Sequence, residues 1–309
     1  MTRGWHVDDL PDQTGRTAVV TGCTRGGLGY HVALELARRG GTIVLAGRRS
    51  DALDVAADAI TAEVPDARLS CLEVDLADLS SVRLAATQAV EIGPVHCLLN
   101  NAGVMATPYS RTADGLELQL ATNHFGPFLL TGLLLPQLVE GGDARVVTVS
   151  SQMHRLAQRA PLDDPRIAEG HYRRWQAYSR TKLANLLFTF ELDRRLAKAE
   201  LPVTAMAAHP GYAGTHLVAN GQFGRASGGF ASILDAANRA ISQPAAAGAL
   251  PLLMAMTADV PGSSYCGPGG PGEARGLPRL VGCIRLARDE HAQRALWELS
   301  ERTVGLSYP

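Results

Sequence analysis

The chain has 309 residues, of which 46% are hydrophobic and 19% are charged, and its formal net charge is -1. A chain of this length can bury a large core, so it needs neither a disulfide nor a metal for stability. The near-neutral charge argues against a nucleic-acid-binding protein, which normally carries a basic surface. The cysteines include no CxxC pair, so we predict buried free thiols in a reducing compartment and no metal site; they are Cys23, Cys71, Cys97, Cys266 and Cys283.

The sequence contains no segment typical of secretion or membrane insertion. Residues 1–16 lack the apolar stretch of a signal peptide. The longest apolar stretch, residues 128–139, is shorter than the ~20 residues that span a bilayer. We therefore expect a soluble cytoplasmic protein with no membrane span.

Short apolar runs alternate with helical patterns along the first 210 residues. A β-branched run at residues 17–20 ends in a glycine-rich turn, and residues 28–39 then show apolar positions at every fourth residue. Further apolar runs lie at 42–46, 69–74, 95–99, 145–149 and 203–208, and helical patterns lie at 50–64, 79–92, 116–139 and 175–201. This alternation predicts six strands in a Rossmann-type, doubly wound parallel sheet with helices on both faces.

The remaining sequence is expected to be attached to this sheet as part of a single domain covering residues 1–309. Residues 212–244 are rich in Gly, Ala and Ser, and we predict that they form a substrate lid. Residues 260–309 form a C-terminal tail, in which 262–276 are dense in Gly and Pro and predict an irregular segment. Residues 288–303 read as a final helix.

The turn after the first strand has the features of a dinucleotide site. Glycines let the backbone approach a pyrophosphate, and the helix that begins near Leu28 directs its N–H groups and positive dipole end at the phosphates. After the second strand stands Arg48, where an NAD site normally has an acidic residue. Arg48 suits a 2′-phosphate and Arg25 adds a second positive charge, so we predict a preference for NADP(H) over NAD(H).

A tyrosine and a lysine four positions apart indicate acid–base chemistry. Tyr178 and Lys182 would share one face of a helix. Tyrosine has a pKa near 10, and lowering it by about three units requires about 4 kcal/mol of differential stabilisation of the phenolate. An adjacent ammonium group and a nicotinamide cation are expected to supply it. Ser151 follows a central strand, where open sheets bind ligands.

Taken together, these motifs resemble the short-chain dehydrogenase/reductase family. The matching residues follow one another along most of the chain: the turn from Thr21 to Gly29, Asp75-Leu76, Asn100-Asn101-Ala102-Gly103, Asn123, Ser151, Tyr178, Lys182, Pro210-Gly211 and Thr215. The stretches 100–105, 121–138 and 177–192 are most similar to the branch of retinol dehydrogenases and protochlorophyllide reductases.

The resemblance implies a role for each matching residue. Tyr178 would be the general acid/base, and Lys182 would lower its pKa and hold the nicotinamide ribose. Ser151 would orient the substrate oxygen, and Asn123 would support a water that links Lys182 to solvent. The implied cofactor-binding residues are Gly22, Arg25, Gly27, Leu28, Gly29, Arg48, Asp75, Leu76, Asn100, Ala102, Gly103, Tyr178, Lys182, Pro210, Gly211 and Thr215.

Two features depart from the family pattern. Four residues separate Gly22 from Gly27 where the family has three, so either Gly26 or Gly27 is extra. We favour Gly27 and Gly29 as the functional pair. An insertion also separates Ser151 from Tyr178, and it contains His154, which is interpreted either as a substrate contact or, with more weight, as a surface or loop-supporting histidine. His124 and His209 are interpreted as packed, structural histidines.

We therefore predict an NADP(H)-dependent oxidoreductase of a carbonyl or alcohol substrate. Apolar side chains in residues 212–244 favour a lipophilic one. The alternatives are an NADP(H)-binding sensor without turnover and, with less support, a nucleotide-sugar epimerase. The resemblance also implies a homodimer or homotetramer formed through the helices that carry Asn123 and Tyr178. The apolar run Leu183, Leu186, Leu187 and Phe190 would either serve that interface or face the core.

Overall fold

An eight-stranded sheet organises the chain in this computed structural model, which describes residues 4–166, 172–212 and 243–309. The strands are β1 (Thr17–Thr21), β2 (Thr42–Gly47), β3 (Arg68–Glu73), β4 (Cys97–Asn100), β5 (Ala144–Val149), β6 (Val203–Ala208), β7 (Tyr265–Pro268) and β8 (Pro278–Leu280). Their order is β3-β2-β1-β4-β5-β6-β7-β8, and all neighbours are parallel except β7 and β8.

Helices cover both faces of this sheet, as expected for strands that are apolar throughout. They are α1 (Leu28–Arg38), α2 (Ser50–Glu63), α3 (Leu79–Ala89), α4 (Leu118–Leu120), α5 (Gly126–Leu133), α6 (Leu135–Glu140), α7 (Arg174–Lys198), α8 (Ala245–Thr257) and α9 (Glu290–Val304). One core cluster joins the sheet to α1, α2 and α8, a second joins it to α3, α5, α7 and α9, and a third lies between α7, α9 and the β6–β7 part of the sheet. The doubly wound Rossmann-type fold is thus confirmed.

The end of the sheet differs from the prediction. The Gly- and Pro-rich residues 262–276 were expected to be irregular, but Tyr265–Pro268 form β7, and the described chain contains eight strands rather than six. Helix α8 has no counterpart in the predicted elements. It is rich in Ala and Leu and is buried along most of its length, so it lacks the polar face that would give a helical period.

The predicted helix over residues 116–139 is divided into several pieces. A π-helical turn, Ala121–Phe125, separates α4 from α5, and the N–H of Gly126 donates to the carbonyl of Ala121, five residues back. The α-helical donor for the carbonyl of Asn123 would be residue 127, which is a proline without an N–H. Gly126 also packs against the segment that follows β3. A Cβ on Gly126 would overlap the carbonyl oxygen of Leu76 in that segment.

Helix α9 and residues 305–309 form what we call the C-terminal layer, which packs over α5 and α7. Trp297 stacks on Phe188 with ring centroids 5.9 Å apart, and Tyr308 contacts Phe128 at 4.9 Å. The apolar run from Leu183 to Phe190 is at most 4% exposed, so it faces the core of its own chain. This run is therefore not available as an interface in this arrangement.

The cysteines are free, but they are not all buried. Cys23, Cys97 and Cys266 are buried as predicted, whereas Cys71 is exposed and Cys283 is partly exposed. Cys71 lies on β3, an edge strand of the sheet, which explains its exposure. Within the described ranges, no helix is both long and apolar enough to cross a bilayer.

Candidate active site

The glycine turn is shaped by close backbone contacts. Gly22 follows β1 with a φ of +76°, in the left-handed region that glycine adopts without strain. A Cβ on Gly22 would lie 2.9 Å from the Cα of Ala102, and a Cβ on Gly29 would lie 2.8 Å from the carbonyl oxygen of Gly22. Both positions therefore require glycine, which keeps β1, α1 and the loop after β4 in contact.

The extra residue of this turn lies directly before the start of α1. Gly26 has a φ of +75° and faces open space, while Gly27 is the N-cap of α1 and its N–H donates to the carbonyl of Thr24 at 2.8 Å. This placement agrees with Gly27 and Gly29 as the functional pair. No side chain caps the helix, so its first N–H groups are available to an anion, and the turn fits a pyrophosphate.

Thr21 and Asn101 join the glycine turn to the loop after β4. The Thr21 hydroxyl donates to the carbonyl of Leu99 at 3.0 Å and accepts from the N–H groups of Asn101 and Ala102. The Asn101 amide in turn donates to the carbonyl of Thr21 at 2.7 Å. Neither residue has a role predicted from the sequence, although both lie within the motifs that resemble the family.

Among the residues predicted around the adenosine, Arg25, Arg48 and Asp75 are exposed or partly exposed, whereas Leu76 and Asn100 are buried. Arg25 and Arg48 are exposed, at the ends of β1 and β2 respectively, and Asp75 is partly exposed, with its carboxylate accepting from the N–H of Ala77 at 2.9 Å. The side chain of Leu76 is buried in the core, and its carbonyl oxygen lies against Gly126.

Asn100 also directs its side chain inwards. Its amide donates to the hydroxyl of Thr131 on α5 at 3.0 Å, which ties β4 to that helix. The side chain is thus a support of the sheet, and a contact with the adenosine ribose would need the backbone. Ala102 and Gly103, further along the same loop, are partly exposed.

Helix α7 brings Tyr178 and Lys182 together at the carboxyl end of β5. Each residue is 5% exposed, and the Lys182 Nζ lies 5.6 Å from the centroid of the Tyr178 ring. The Nζ donates to the carbonyl of Val149 at 3.0 Å, and the Asn185 amide donates to the same carbonyl. Burial lowers the pKa of Lys182 to about 8.

Burial of Tyr178 opposes the lowering of its pKa that Lys182 and a nicotinamide cation are expected to supply. Burial raises the pKa of its hydroxyl to about 12, and a hydrogen bond with the Ser151 side chain acts in the opposite direction but is outweighed. The free-energy cost of removing the charged phenolate from water is larger than the stabilisation that the Ser151 hydrogen bond gives it. Burial thus favours the protonated hydroxyl of Tyr178, and the Ser151 side chain lies within hydrogen-bond reach of it.

Asn123 lies in the π-helical turn and is fully engaged through its side chain. The Oδ1 atom accepts from the N–H of Val104 at 2.7 Å, and the Nδ2 group donates to the Val104 carbonyl and to the Thr181 hydroxyl. These contacts fix the loop after β4 against α7. The main-chain carbonyl of Asn123 has no α-helical donor, because the residue four positions on is a proline without an N–H.

The chain leaves β6 through a tightly packed turn, residues 209–211. Gly211 has a φ of +71°, and a Cβ there would lie 2.5 Å from the carbonyl oxygen of Ala274. His209 is buried, its Nδ1 accepts from the N–H of Gly211 at 3.2 Å, and its Nε2 donates to Glu273 at 3.1 Å. Pro210 is held by the Gln243 side chain. Thr215 and most of the predicted lid lie outside the described residues.

His154 is a support of the loop after β5. It is fully buried, and its Nδ1 lies 2.6 Å from the carbonyl oxygen of Ser151. The interpretation as a substrate contact is therefore not supported by its position. His124 is buried as well, with its Nε2 2.8 Å from the Ser300 hydroxyl on α9, so it packs beneath the C-terminal layer.

Sequence comparison relates this chain to proteins of one family. Residues 16–161 match the family model described as short chain dehydrogenase. Human retinol dehydrogenase 13 is 37% identical over 96% of this chain and 86% of its own length. Bovine retinol dehydrogenase 12 is 42% identical, over 66% of this chain and 63% of its own length.

Structure comparison shows the same fold in solved proteins. An uncharacterised protein from Mycobacterium paratuberculosis is 40% identical and superposes with a TM-score of 0.81, covering 99% of this chain and 100% of its own. A short chain dehydrogenase from Escherichia coli, solved with NADPH, shares the fold at a TM-score of 0.60 and 23% identity, over 81% of this chain and 94% of its own. The chain therefore belongs to the short-chain dehydrogenase/reductase family, in its retinol-dehydrogenase-like branch, and is an oxidoreductase of CH–OH and C=O groups.

Proposed function

We propose that this protein is an NADP(H)-dependent oxidoreductase of lipophilic aldehydes, ketones or alcohols, with Tyr178 as the general acid/base. The observation that carries the proposal is the convergence of Tyr178, Lys182 and Ser151 at the carboxyl end of β5, beside the loop that joins β4 to the glycine turn. Bound NADP(H) supplies or accepts the hydride.

The protonated state of Tyr178 suits carbonyl reduction. Because burial raises its pKa to about 12, the hydroxyl holds its proton at neutral pH and can donate it to a substrate oxygen. The neighbouring Ser151 hydroxyl would hydrogen-bond the same oxygen and fix its position. In the oxidation direction Tyr178 must first lose its proton, so alcohol oxidation would rise with pH.

Lys182 and a water held by Asn123 would relay protons between Tyr178 and solvent. The Val149 carbonyl takes one of the three Nζ donors of Lys182, and the others can serve the cofactor ribose and a water. The Asn123 side chain is committed to Val104 and Thr181, so its main-chain carbonyl would hold that water. This arrangement supports the role proposed for Asn123 and assigns it to the backbone.

The cofactor preference is proposed from Arg25 and Arg48. Both guanidinium groups are exposed at the turns that follow β1 and β2, on the side where the adenosine ribose would lie, and Arg48 stands where an acid would select NAD(H). The proposed cofactor contacts also include Gly22, Gly27, Gly29, Ala102, Gly103 and Pro210.

A lipophilic substrate is proposed from the relatives and from composition. Several curated relatives are named retinol dehydrogenases, and another is named polyprenol dehydrogenase. Residues 212–244 of this chain carry Leu217, Val218, Phe223, Phe230, Ile233 and Leu234. Apolar side chains of this kind suit a long hydrocarbon substrate better than a charged one.

The test is a carbonyl panel of all-trans-retinal, decanal, cyclohexanone and glyceraldehyde, assayed with NADPH and with NADH. We expect turnover of the apolar carbonyls with NADPH, and a loss of kcat of about 10²–10⁴-fold in Tyr178→Phe, because the acid is removed. NADPH binding, followed by nicotinamide fluorescence, should persist in Tyr178→Phe. Binding without turnover in the wild type, together with no effect of Tyr178→Phe, would instead support a sensor.

A further inference from the structure

The carbonyl group of Ser151 is held by two donors from a single residue. The backbone N–H of His154 donates to it at 3.0 Å, and the ring Nδ1 of His154 lies 2.6 Å from the same oxygen. Ser151 itself is the N-cap of the short 3₁₀ helix Gln152–Leu156, and its hydroxyl accepts from the N–H of Met153 at 3.2 Å. The peptide group after Ser151 is therefore anchored at its oxygen.

The surroundings of His154 define its tautomer. Its Nε2 accepts from the backbone N–H of Ile284 at 3.3 Å, so the ring proton resides on Nδ1 and is directed at Ser151. The ring is fully buried and meets the edge of Tyr265, with centroids 5.7 Å apart. Burial lowers its pKa, which keeps the ring neutral with one donor and one acceptor.

Ile284 belongs to the segment that follows β8, 130 positions after His154. The contact thus joins the loop after β5 to the far end of the sheet. Rotation of the Ser151 peptide would break the bond to Nδ1 and leave a buried donor without its acceptor, which costs about 1–3 kcal/mol. The orientation of the Ser151 side chain is restricted in consequence.

We propose that His154 is a positioning residue, which holds the Ser151 peptide so that the serine hydroxyl stays directed at Tyr178 and at the substrate oxygen. The inference rests on the proposed function and deepens it, because it assigns the alignment of Ser151 to a residue that touches neither substrate nor cofactor. The neutral Nδ1–H tautomer, selected by Ile284, is the form that does so.

The test compares His154→Leu with His154→Asn, using all-trans-retinal and NADPH. Leucine removes the donor, whereas the Nδ2 group of asparagine occupies the place of Nδ1 and keeps a donor for the Ser151 carbonyl. We expect kcat to fall about 10–100-fold in His154→Leu, since misalignment of a reacting group has costs of this order. Asparagine should recover most of that loss, with the KM for NADPH unchanged in both variants.

A double variant isolates the route through Ser151. If His154 acts only through Ser151, adding His154→Leu to Ser151→Ala changes kcat less than about two-fold. Multiplicative losses in the double variant, or equal kcat values for His154→Leu and the wild type, would overturn the inference. So would equal losses in the leucine and asparagine variants, because these would indicate a purely structural residue.

Ile284→Pro keeps the question open to experiment if His154→Leu does not fold. Ile284 has a φ of -66°, which proline adopts, and this change deletes the N–H that selects the tautomer. It also removes a side chain that packs against the core, so Ile284→Ala, which keeps the N–H, is its control. We expect kcat to be about 3–10-fold lower in Ile284→Pro than in Ile284→Ala, and equal kcat values would count against the proposal. A wild type that binds NADPH without turning over any carbonyl of the panel would refute the proposed function itself, and this inference with it.

Discussion

The glycine turn and the C-terminal layer are stabilised in opposite ways. The turn depends on missing side chains, since Gly22 and Gly29 allow backbone contacts within a few residues of each other and with Ala102. The layer depends on large side chains, since Trp297 and Tyr308 meet aromatic rings from helices more than 100 positions earlier in the chain. A local backbone requirement leaves a motif in the sequence, whereas distant packing leaves only scattered apolar residues.

Truncation of Trp297 should have the largest effect on the C-terminal layer while leaving the glycine turn unchanged. Trp297 is 1% exposed and contacts Phe128, Phe188, Tyr308 and the guanidinium of Arg195, which lies 4.5 Å from the ring centroid. We expect Trp297→Ala to lower the free energy of unfolding by about 3–5 kcal/mol, as for other buried aromatic truncations. Urea unfolding measures this loss, and NADPH affinity of the folded protein should stay within two-fold.

Trp297→Phe is the matched control. The indole Nε1 is buried and has no hydrogen-bond partner among the described residues, so phenylalanine gives up area but also removes an unpaired donor. Its loss of stability should be clearly smaller than that of the alanine variant. Equal losses in the two variants would show that the layer does not depend on aromatic packing.

Arg48→Asp should change cofactor binding near the glycine turn and leave the stability of the C-terminal layer unchanged. Charge-assisted bonds to a 2′-phosphate contribute about 1.5–3 kcal/mol, so we expect NADPH affinity to fall about 10–100-fold and NADH affinity to change little. Because Arg48 is exposed, the unfolding midpoint should hardly move. Arg49→Asp, at an exposed position 3.8 Å from Asp51, is the control; a comparable NADPH loss in that variant would argue for general electrostatics rather than a specific site.

Acid should weaken the contact between the π-helical turn and the C-terminal layer. Burial lowers the pKa of His124 to about 3 in the folded chain, below the value of about 6.5 in the unfolded chain. The unfolded state therefore binds more protons between these values, and the free energy of unfolding falls as the pH drops below 6.5. At pH 5 the loss from His124 amounts to about 2 kcal/mol.

Urea unfolding at pH 7 and pH 5 measures this effect. His124→Gln should show a smaller drop than the wild type, since the glutamine amide can still reach the Ser300 hydroxyl without titrating. A residual drop in the variant is expected from His209, whose pKa is also lowered to about 3 by burial. Identical drops in both proteins would exclude His124 as a source of acid sensitivity.

The parts of the site that could be predicted are those set by short spacing. Tyr178 and Lys182 share a helix face because they are four residues apart, and Ser151 follows a strand whose apolar run is plain in the sequence. The position of the glycine turn could be predicted because its glycines lie between an apolar run and a helical pattern that are adjacent in the sequence. The doubly wound parallel sheet followed from the alternation of strands and helices together with the handedness of crossovers.

The remaining parts depend on partners that are distant in sequence. The tautomer of His154 is set by Ile284, and the pKa of Tyr178 is set by burial that no spacing rule reports. Strand β7 lies among glycines and prolines, which normally end strands, yet it pairs with β6 and β8 at the far end of the sheet. Only the assembled sheet supplies those neighbours.

The contact between Gly126 and Leu76 bears on how the two ends of the proposed site lie relative to each other. Leu76 stands at the expected adenine end, and Asn123, three residues before Gly126, stands at the expected nicotinamide end. Since even a methyl group on residue 126 would overlap the Leu76 carbonyl, any larger residue there would push the chain after β3 away from α5. The expected adenine end of the proposed site would then shift relative to Asn123.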